Sequence, residues 1–204
     1  MLRLLLLRHA KSDWSDAAQI DFDRPLNIRG QRAAPQMGAH MARHGLVPDK
    51  VLCSSARRTR ETLGLILPHL SGNMEIRVTR DLYEDGELDY VDSIRALGGG
   101  ARTVLVIGHN PAMQDTALEL IGEGNPALRE SIATKFPTAA LAVVDFAINR
   151  WSDAERGSGR VVAYCLPRQL PGGALPPLAA TPLGPPPLAA NDGGNGGGGS
   201  SEPE

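Results

Sequence analysis

Two imidazoles and two guanidiniums are the side chains in this sequence whose placement suggests chemistry. His9 follows Arg8 where an apolar run, Leu2 to Leu7 broken only by Arg3, stops and gives way to Ala10-Lys11-Ser12-Asp13-Trp14. A cation and an imidazole at the mouth of a buried strand cost solvation unless a ligand uses them. The pair therefore points to an anion and a reactive nitrogen. A second locus reads Ser54-Ser55-Ala56-Arg57-Arg58-Thr59-Arg60-Glu61-Thr62, and a third reads Gly108-His109-Asn110-Pro111.

At the second locus Ser55 is placed to cap a helix, which puts Arg57 and Arg58 in its first turn. Cations are disfavoured at that end by the helix dipole, unless an anion is shared between the helix N-terminus and an arginine. Arg57 has a plain partner in Glu61, four residues on. Arg58 meets only Thr62 at that spacing, so it is the better ligand clamp. Arg60 reads as solvated surface. At the third locus Asn110 suits a cap and Pro111 the first helical position, with exposed backbone N–H groups at the strand end. His109 taken alone serves equally well as a capping residue, and His9 alone as a structural histidine. Together they match what a phosphoryl-transfer pocket needs, which is charge clamps on the equatorial oxygens and an in-line nucleophile.

These loci sit at the ends of short apolar runs that alternate with amphipathic segments. Strands are expected at Leu2–Leu7, Lys50–Cys53, Glu75–Thr79 and Thr103–Ile107. Helices are expected at about Ile28–Arg43, capped by Asn27 and ended by Gly45, and at Ala56–Leu67, Leu88–Leu97 and Pro111–Ile121. Two later runs, Ala139–Phe146 and Arg160–Leu166, read as a closing antiparallel pair. The alternation predicts an α/β fold, a three-layer αβα sandwich whose central sheet is mostly parallel with an antiparallel edge. Ligands in such sheets bind beyond the carboxyl ends of the strands, where the three loci fall. Gly98-Gly99-Gly100 precedes its strand, so it is a turn rather than a phosphate loop.

Length and composition narrow the classes. The chain has 204 residues, and from Leu170 to Glu204 it is rich in Gly and Pro with no Lys, Arg or aromatic residue. That stretch cannot bury enough apolar surface to offset its ordering entropy. One folded domain over residues 1–169 and a disordered tail over 170–204 are expected. Setting aside the tail acids Asp192, Glu202 and Glu204, 21 basic residues face 20 acidic ones, so the domain carries +1 against -2 for the whole chain. A near-neutral domain has no general attraction for nucleic acid or an acidic membrane. No signal-peptide or membrane-spanning pattern is present. Cys53 and Cys165 suit neither a disulfide framework nor a metal site, and no metal or other cofactor is expected. Cys53 reads as a small buried hydrophobe. A reducing cytoplasm is the expected setting. Four carboxylates in the loop Asp81 to Glu87 could supply a general acid, and the residues alone do not choose among them.

Assembled in order, these pieces resemble the histidine phosphatase superfamily, of phosphoglycerate-mutase-like fold, and within it the SixA-type phosphohistidine phosphatases. The matching segments are Leu5 to Ser12, Asp23-Arg24-Pro25-Leu26-Asn27 with Gly30, Ser54 to Thr62, Leu82-Tyr83-Glu84, and Val106 to Pro111. The resemblance implies that His9 is the nucleophile, that Arg8, Arg58 and His109 hold the phosphoryl group, and that the loop from Arg8 to Ser15 borders it. Ser15 and Asn110 are thereby expected to touch substrate. Glu84 falls where many relatives keep the acid that protonates the leaving group. Ala10 replaces the glycine usual in the wider superfamily, as is common in the small branch, and weakens a mutase reading.

The resemblance thus implies hydrolysis through a covalent phosphohistidine, acting on phosphohistidine of a protein such as a phosphotransfer domain. Small helical insertions select substrates in this superfamily, and the short stretch between Thr62 and Val104 suggests an open pocket. Two other functions are carried alongside. One is a small-molecule phosphomonoesterase acting on a phosphorylated metabolite. The other is a phosphate-binding interaction module without turnover.

Overall fold

The computed structural model describes residues 1–83 and 89–170. Its centre is β1 (Leu2–Arg8), whose run Leu4 to Leu7 is continuously apolar because both faces of the strand are covered. Leu4 and Leu6 enter one core with Val104, Val106, Met113 and Phe136. Leu5 and Leu7 enter the other with Met37, Cys53, Ile66 and Ile107. Strict alternation would have left one face polar.

Around β1 lie α1 (Ile28–Arg43), β2 (Lys50–Ser54), α2 (Arg57–Ile66), β3 (Glu75–Thr79), α3 (Tyr90–Leu97), β4 (Thr103–Gly108) and α4 (Ala112–Leu120). Then come β5 (Ile121–Gly124), α5 (Pro126–Thr134), β6 (Leu141–Phe146) and β7 (Gly159–Cys165). The sheet order is β3-β2-β4-β1-β6-β7-β5. The β3-β2-β4-β1 half is parallel throughout, and β6 runs antiparallel to both β1 and β7. Helices α1 and α2 cover one face, and α3, α4 and α5 cover the other. The expected three-layer sandwich is present, with its antiparallel portion at the β6–β7 end.

Asn27 caps α1 by accepting the Gly30 N–H. Gly30 lies against the Lys11 backbone so closely that a Cβ there would collide with the Lys11 carbonyl. This contact presses α1 onto the loop that leaves β1 and so bears directly on the site. Two elements were not foreseen. β5 pairs parallel with β7 beyond the antiparallel pair, and α5 is capped by Asn125 with Pro126 in its first turn. Leu170, which composition assigns to the tail, is 7% exposed and packs into the α1–α2 core. The rest of the tail lies outside the described residues.

Candidate active site

Parallel pairing brings the three loci together. Arg8 stands opposite Gly108 in the β1–β4 register, and Cys53 stands opposite Ile107 in the β2–β4 register. The next residues along are His9, His109 and Ser54. The His9 N–H donates to the Gly108 carbonyl at 3.0 Å, and the two imidazoles lie 5.2 Å apart between centroids.

His9 is buried, with Nδ1 2.7 Å from the Ala10 carbonyl oxygen. A carbonyl only accepts, so the bond assigns the ring proton to Nδ1 and leaves the Nε2 lone pair free. Burial holds the His9 pKa well below the usual imidazole value; the Ala10 carbonyl opposes this, and the charges of His109, Arg58 and Arg8 add to it. The peptide after His9 is fixed to α2, since the Ala10 N–H donates to Thr62 Oγ1 at 3.0 Å and that hydroxyl donates to the Arg58 carbonyl at 2.7 Å.

His109 is half-buried and its Nε2 lies 2.8 Å from Ser54 Oγ. Nδ1 has no protein partner. Burial, together with the nearby Arg58, Arg8 and Arg24 charges and against Asp21, lowers its pKa to about 3. Its backbone N–H is not free at the strand end, because Tyr90 Oη accepts it at 3.1 Å and in turn donates to the Leu82 carbonyl at 2.7 Å. The capping alternative for His109 is not what forms: Pro111 holds the N-cap position of α4 with no side-chain cap. Asn110 is likewise not the cap. Its Nδ2 donates to Gln114 Oε1 at 3.1 Å, its Oδ1 is buried without a protein partner, and it lines a cavity of about 360 Å³ together with His109 and Tyr83.

The arginines form a cluster that local sequence does not show. Arg58 is 5% exposed, and its Nη1 and Nη2 donate to the Asp21 carbonyl at 2.6 Å and to Asp21 Oδ2 at 2.9 Å. The acid missing at the helical spacing is thus supplied from 37 residues away. Arg24, also buried, reaches Asp21 Oδ1 at 2.6 Å and stacks 3.4 Å above the Trp14 ring. Tyr83 Oη donates to Asp21 Oδ2 at 3.0 Å. Arg8 Nη1 donates to the Phe136 carbonyl at 2.7 Å. Each guanidinium keeps donors without a protein partner, namely Nε of Arg8, Nε and Nη1 of Arg24, and Nε of Arg58. Buried cations with spare donors are expensive by themselves and fit an arriving polyanion. Asp21 and Arg24 were not singled out as site residues; Arg24 stands in the segment Asp23 to Asn27, and Asp21 lies two residues ahead of that segment. The signal was the chance for an acid to answer Arg58.

Other expectations resolve plainly. Arg57 Nε pairs with Glu61 Oε1 at 2.7 Å, and Arg60 is exposed. Ser55 does not cap α2: Ala56 holds that position without a side-chain bond, and Ser55 Oγ has no partner. Thr59 Oγ1, which donates to the Ser54 and Ala56 carbonyls at 2.7 Å, ties the start of the helix instead. The Cys53 thiol is pushed up to about 12 by burial, as suits a core residue. Ser15 lies on an exposed turn, where its N–H donates to Asp13 Oδ1 at 2.9 Å. No hydrogen bond joins it to Arg8, His9, Arg58 or His109. Glu84 lies outside the described residues.

A model of the histidine phosphatase superfamily (branch 1) matches residues 4–87, which include Arg8, His9 and Arg58. Fold and site define a phosphatase of the histidine phosphatase superfamily, to which this chain belongs. Within it the chain is of the SixA type. It is similar to the SixA structure from Agrobacterium tumefaciens, with 30% identity and a TM-score of 0.68 over 81% of this chain and 97% of that one. The SixA structure from Nakamurella multipartitia gives 29% identity and a TM-score of 0.70 over 81% and 96%. An uncharacterized protein of Mycobacterium tuberculosis is 35% identical over 164 residues, 79% of this chain and 100% of the relative.

Proposed function

We propose that this chain is a metal-independent phosphohistidine phosphatase that removes the phosphoryl group from a histidine on a protein through a covalent intermediate on His9. The observation that carries the proposal is the free Nε2 of His9, assigned by the bond from Nδ1 to Ala10, beside three arginines with spare donors. A phosphoryl group brings the acceptors that those donors lack. Nε2 attacks phosphorus, the bond from phosphorus to the substrate nitrogen breaks, and the leaving imidazole takes a proton. Water then attacks the phosphorylated His9, its N–P bond breaks, and inorganic phosphate departs. Arg8 and Arg58 neutralise the equatorial oxygens, so the lone pair is not repelled. His109, neutral and with an unpartnered Nδ1, holds a phosphoryl oxygen or passes a proton. Glu84 keeps its proposed part as leaving-group acid, with Ser15 and Asn110 at the border.

A protein substrate is supported by the SixA-type relatives, which are named as phosphohistidine phosphatases. It is also supported by the spare stretch between α2 and β4, which carries only β3, α3 and a short 3-10 turn among the described residues. A phosphotransfer domain is the proposed partner and the cytoplasm the proposed setting, where the free thiols Cys53 and Cys165 are at home. The test is to present the wild type with a phosphohistidine-bearing phosphotransfer domain and with a panel of sugar and nucleotide phosphates, and to trap labelled phosphate on the enzyme. Acid-labile label on His9, lost in His9→Ala, and preference for the protein are expected. Preference for the panel by orders of magnitude would make the chain a small-molecule phosphomonoesterase. Binding without label or turnover would make it an interaction module.

A further inference from the structure

A second cavity, of about 690 Å³, opens at the same edge of the sheet on the β6–β7 side. Its position follows from pairing. Leu7 stands beside Leu141 and Leu141 beside Cys165, so the end of β7 lies two strands from the end of β1. The segment after α5 joins the two places: the Phe136 carbonyl holds Arg8, while Lys135 and Pro137 on either side of it line the cavity. Lys11, two residues beyond His9, lines it as well.

The cavity is strongly cationic. Lys11, Arg29, Lys135 and Arg168 all line it, each exposed, and Glu130 is the one acid on its wall among the described residues. No ion pair involves any of the four cations among the described residues. The contrast with the rest of the molecule is sharp, since the domain as a whole is nearly neutral and the cavity beside His109 is lined by Asp81, Asp89, Asp115 and Glu119. Tyr164 also lines the cavity. Its hydroxyl donates to the Lys135 carbonyl at 2.7 Å, and its phenol feels the charge of Arg8 as well as that of Arg168. A charged group seated here therefore lies next to the phosphoryl site without occupying it.

We propose that this basic cavity is a second anion subsite that receives carboxylate side chains of the substrate protein beside its phosphohistidine. The inference rests on the phosphohistidine-protein reading and deepens it. Four cations on long stems around an open mouth suit several carboxylates at variable spacing better than one fixed small ligand. The subsite acts on recognition and leaves the chemistry to Arg8, His9, Arg58 and His109.

The test compares the wild type with Lys135→Glu/Arg168→Glu and with the milder Lys135→Gln/Arg168→Gln. Turnover is followed on two substrates: an acidic protein that bears phosphohistidine, and p-nitrophenyl phosphate, which carries no second anion. KM for the protein should rise about tenfold in the charge-reversed variant, and less in the neutral one, with kcat and the p-nitrophenyl phosphate rates unchanged. The salt dependence of kcat/KM on the protein should weaken in parallel. Equal KM and equal salt dependence in all three proteins would overturn the subsite while leaving the phosphatase reading intact. A separate readout needs no turnover: a glutamate-rich peptide should bind the wild type more tightly than its glutamine counterpart, and the charge-reversed variant should not discriminate. Failure of the wild type to hydrolyse either substrate would sink the activity, and the peptide measurement would still decide the subsite.

Discussion

Asp21 binds Arg58 twice, through its backbone carbonyl at 2.6 Å and through Oδ2 at 2.9 Å, and so ties a loop ahead of α1 to the first turn of α2. The same carboxylate holds Arg24 through Oδ1 and accepts the Tyr83 hydroxyl. One half-exposed acid thus orients two buried cations at the site. Arg58 is aimed by a residue from outside its own helix.

Asp21→Asn should therefore uncouple stability from anion affinity. Without the carboxylate, Arg24 and Arg58 lose countercharge, and the apo protein should lose about 1 kcal/mol, since the acid is half-exposed. Added inorganic phosphate should restore more stability to the variant than to the wild type, because it supplies the missing charge. Thermal midpoints measured across a phosphate series check this. An identical phosphate response in both proteins would mean that Asp21 does not set the charge of the site.

Arg58→Ala should act on chemistry more than on binding. In the proposed mechanism the guanidinium meets charge that is greatest in the transition state, so kcat should fall by about 10²- to 10³-fold with a much smaller change in KM. Steady-state rates on p-nitrophenyl phosphate separate the two. A pure KM effect would make Arg58 a docking residue.

Both site imidazoles should keep kcat/KM level to acid. His9 and His109 are held neutral in the fold, His109 down to about pH 3, so the free enzyme keeps the proposed nucleophile unprotonated below the ordinary imidazole range. After correction for ionisation of the substrate, no acid limb with a midpoint near 6.5 should appear. The sign for stability is the opposite of a gain. Below about 6.5 the unfolded imidazoles bind protons that the folded ones refuse, so stability is full above that pH and declines as pH falls toward the folded pKa. The slope is at most about 1.4 kcal/mol per pH unit for each imidazole. Urea midpoints between pH 7 and pH 4 measure it, and His109→Gln should flatten it.

Gly30→Ala should damage the site from a distance. A methyl group there meets the Lys11 carbonyl, so either α1 or the loop after His9 must move. Overpacking of this kind costs about 1 to 3 kcal/mol. Activity should fall more than a surface substitution such as Arg43→Ala would cause, as read by kcat at a temperature where both variants remain folded.

Much of this protein was legible along the chain. The apolar run of β1, the limits of β3, the Asn27 cap of α1 and the Arg57–Glu61 pair all depend on neighbours within a few residues, where periodicity and capping rules apply. The strand ends also named Arg8, His9 and His109, because polar groups that close apolar runs stand out by type alone. Two elements escaped for local reasons. β5 is only four residues, Ile121-Gly122-Glu123-Gly124, whose glycines read as the end of a helix, and the Asn125-Pro126 start signal of α5 was there to be used.

Only the tertiary structure decided the state of the groups that the sequence named. Arg58 gains its acid from Asp21, the ring proton of His9 is set by its own burial against the Ala10 carbonyl, and Ser54 rather than a helix end answers His109. It also gathered Lys11, Arg29, Lys135 and Arg168 around one cavity from four separate stretches of chain. Residue type and spacing determine which groups can do chemistry at a strand end. Charge and aim depend on distances of a few ångströms between residues far apart in sequence, and those exist only once the sheet has brought the ends of its strands side by side.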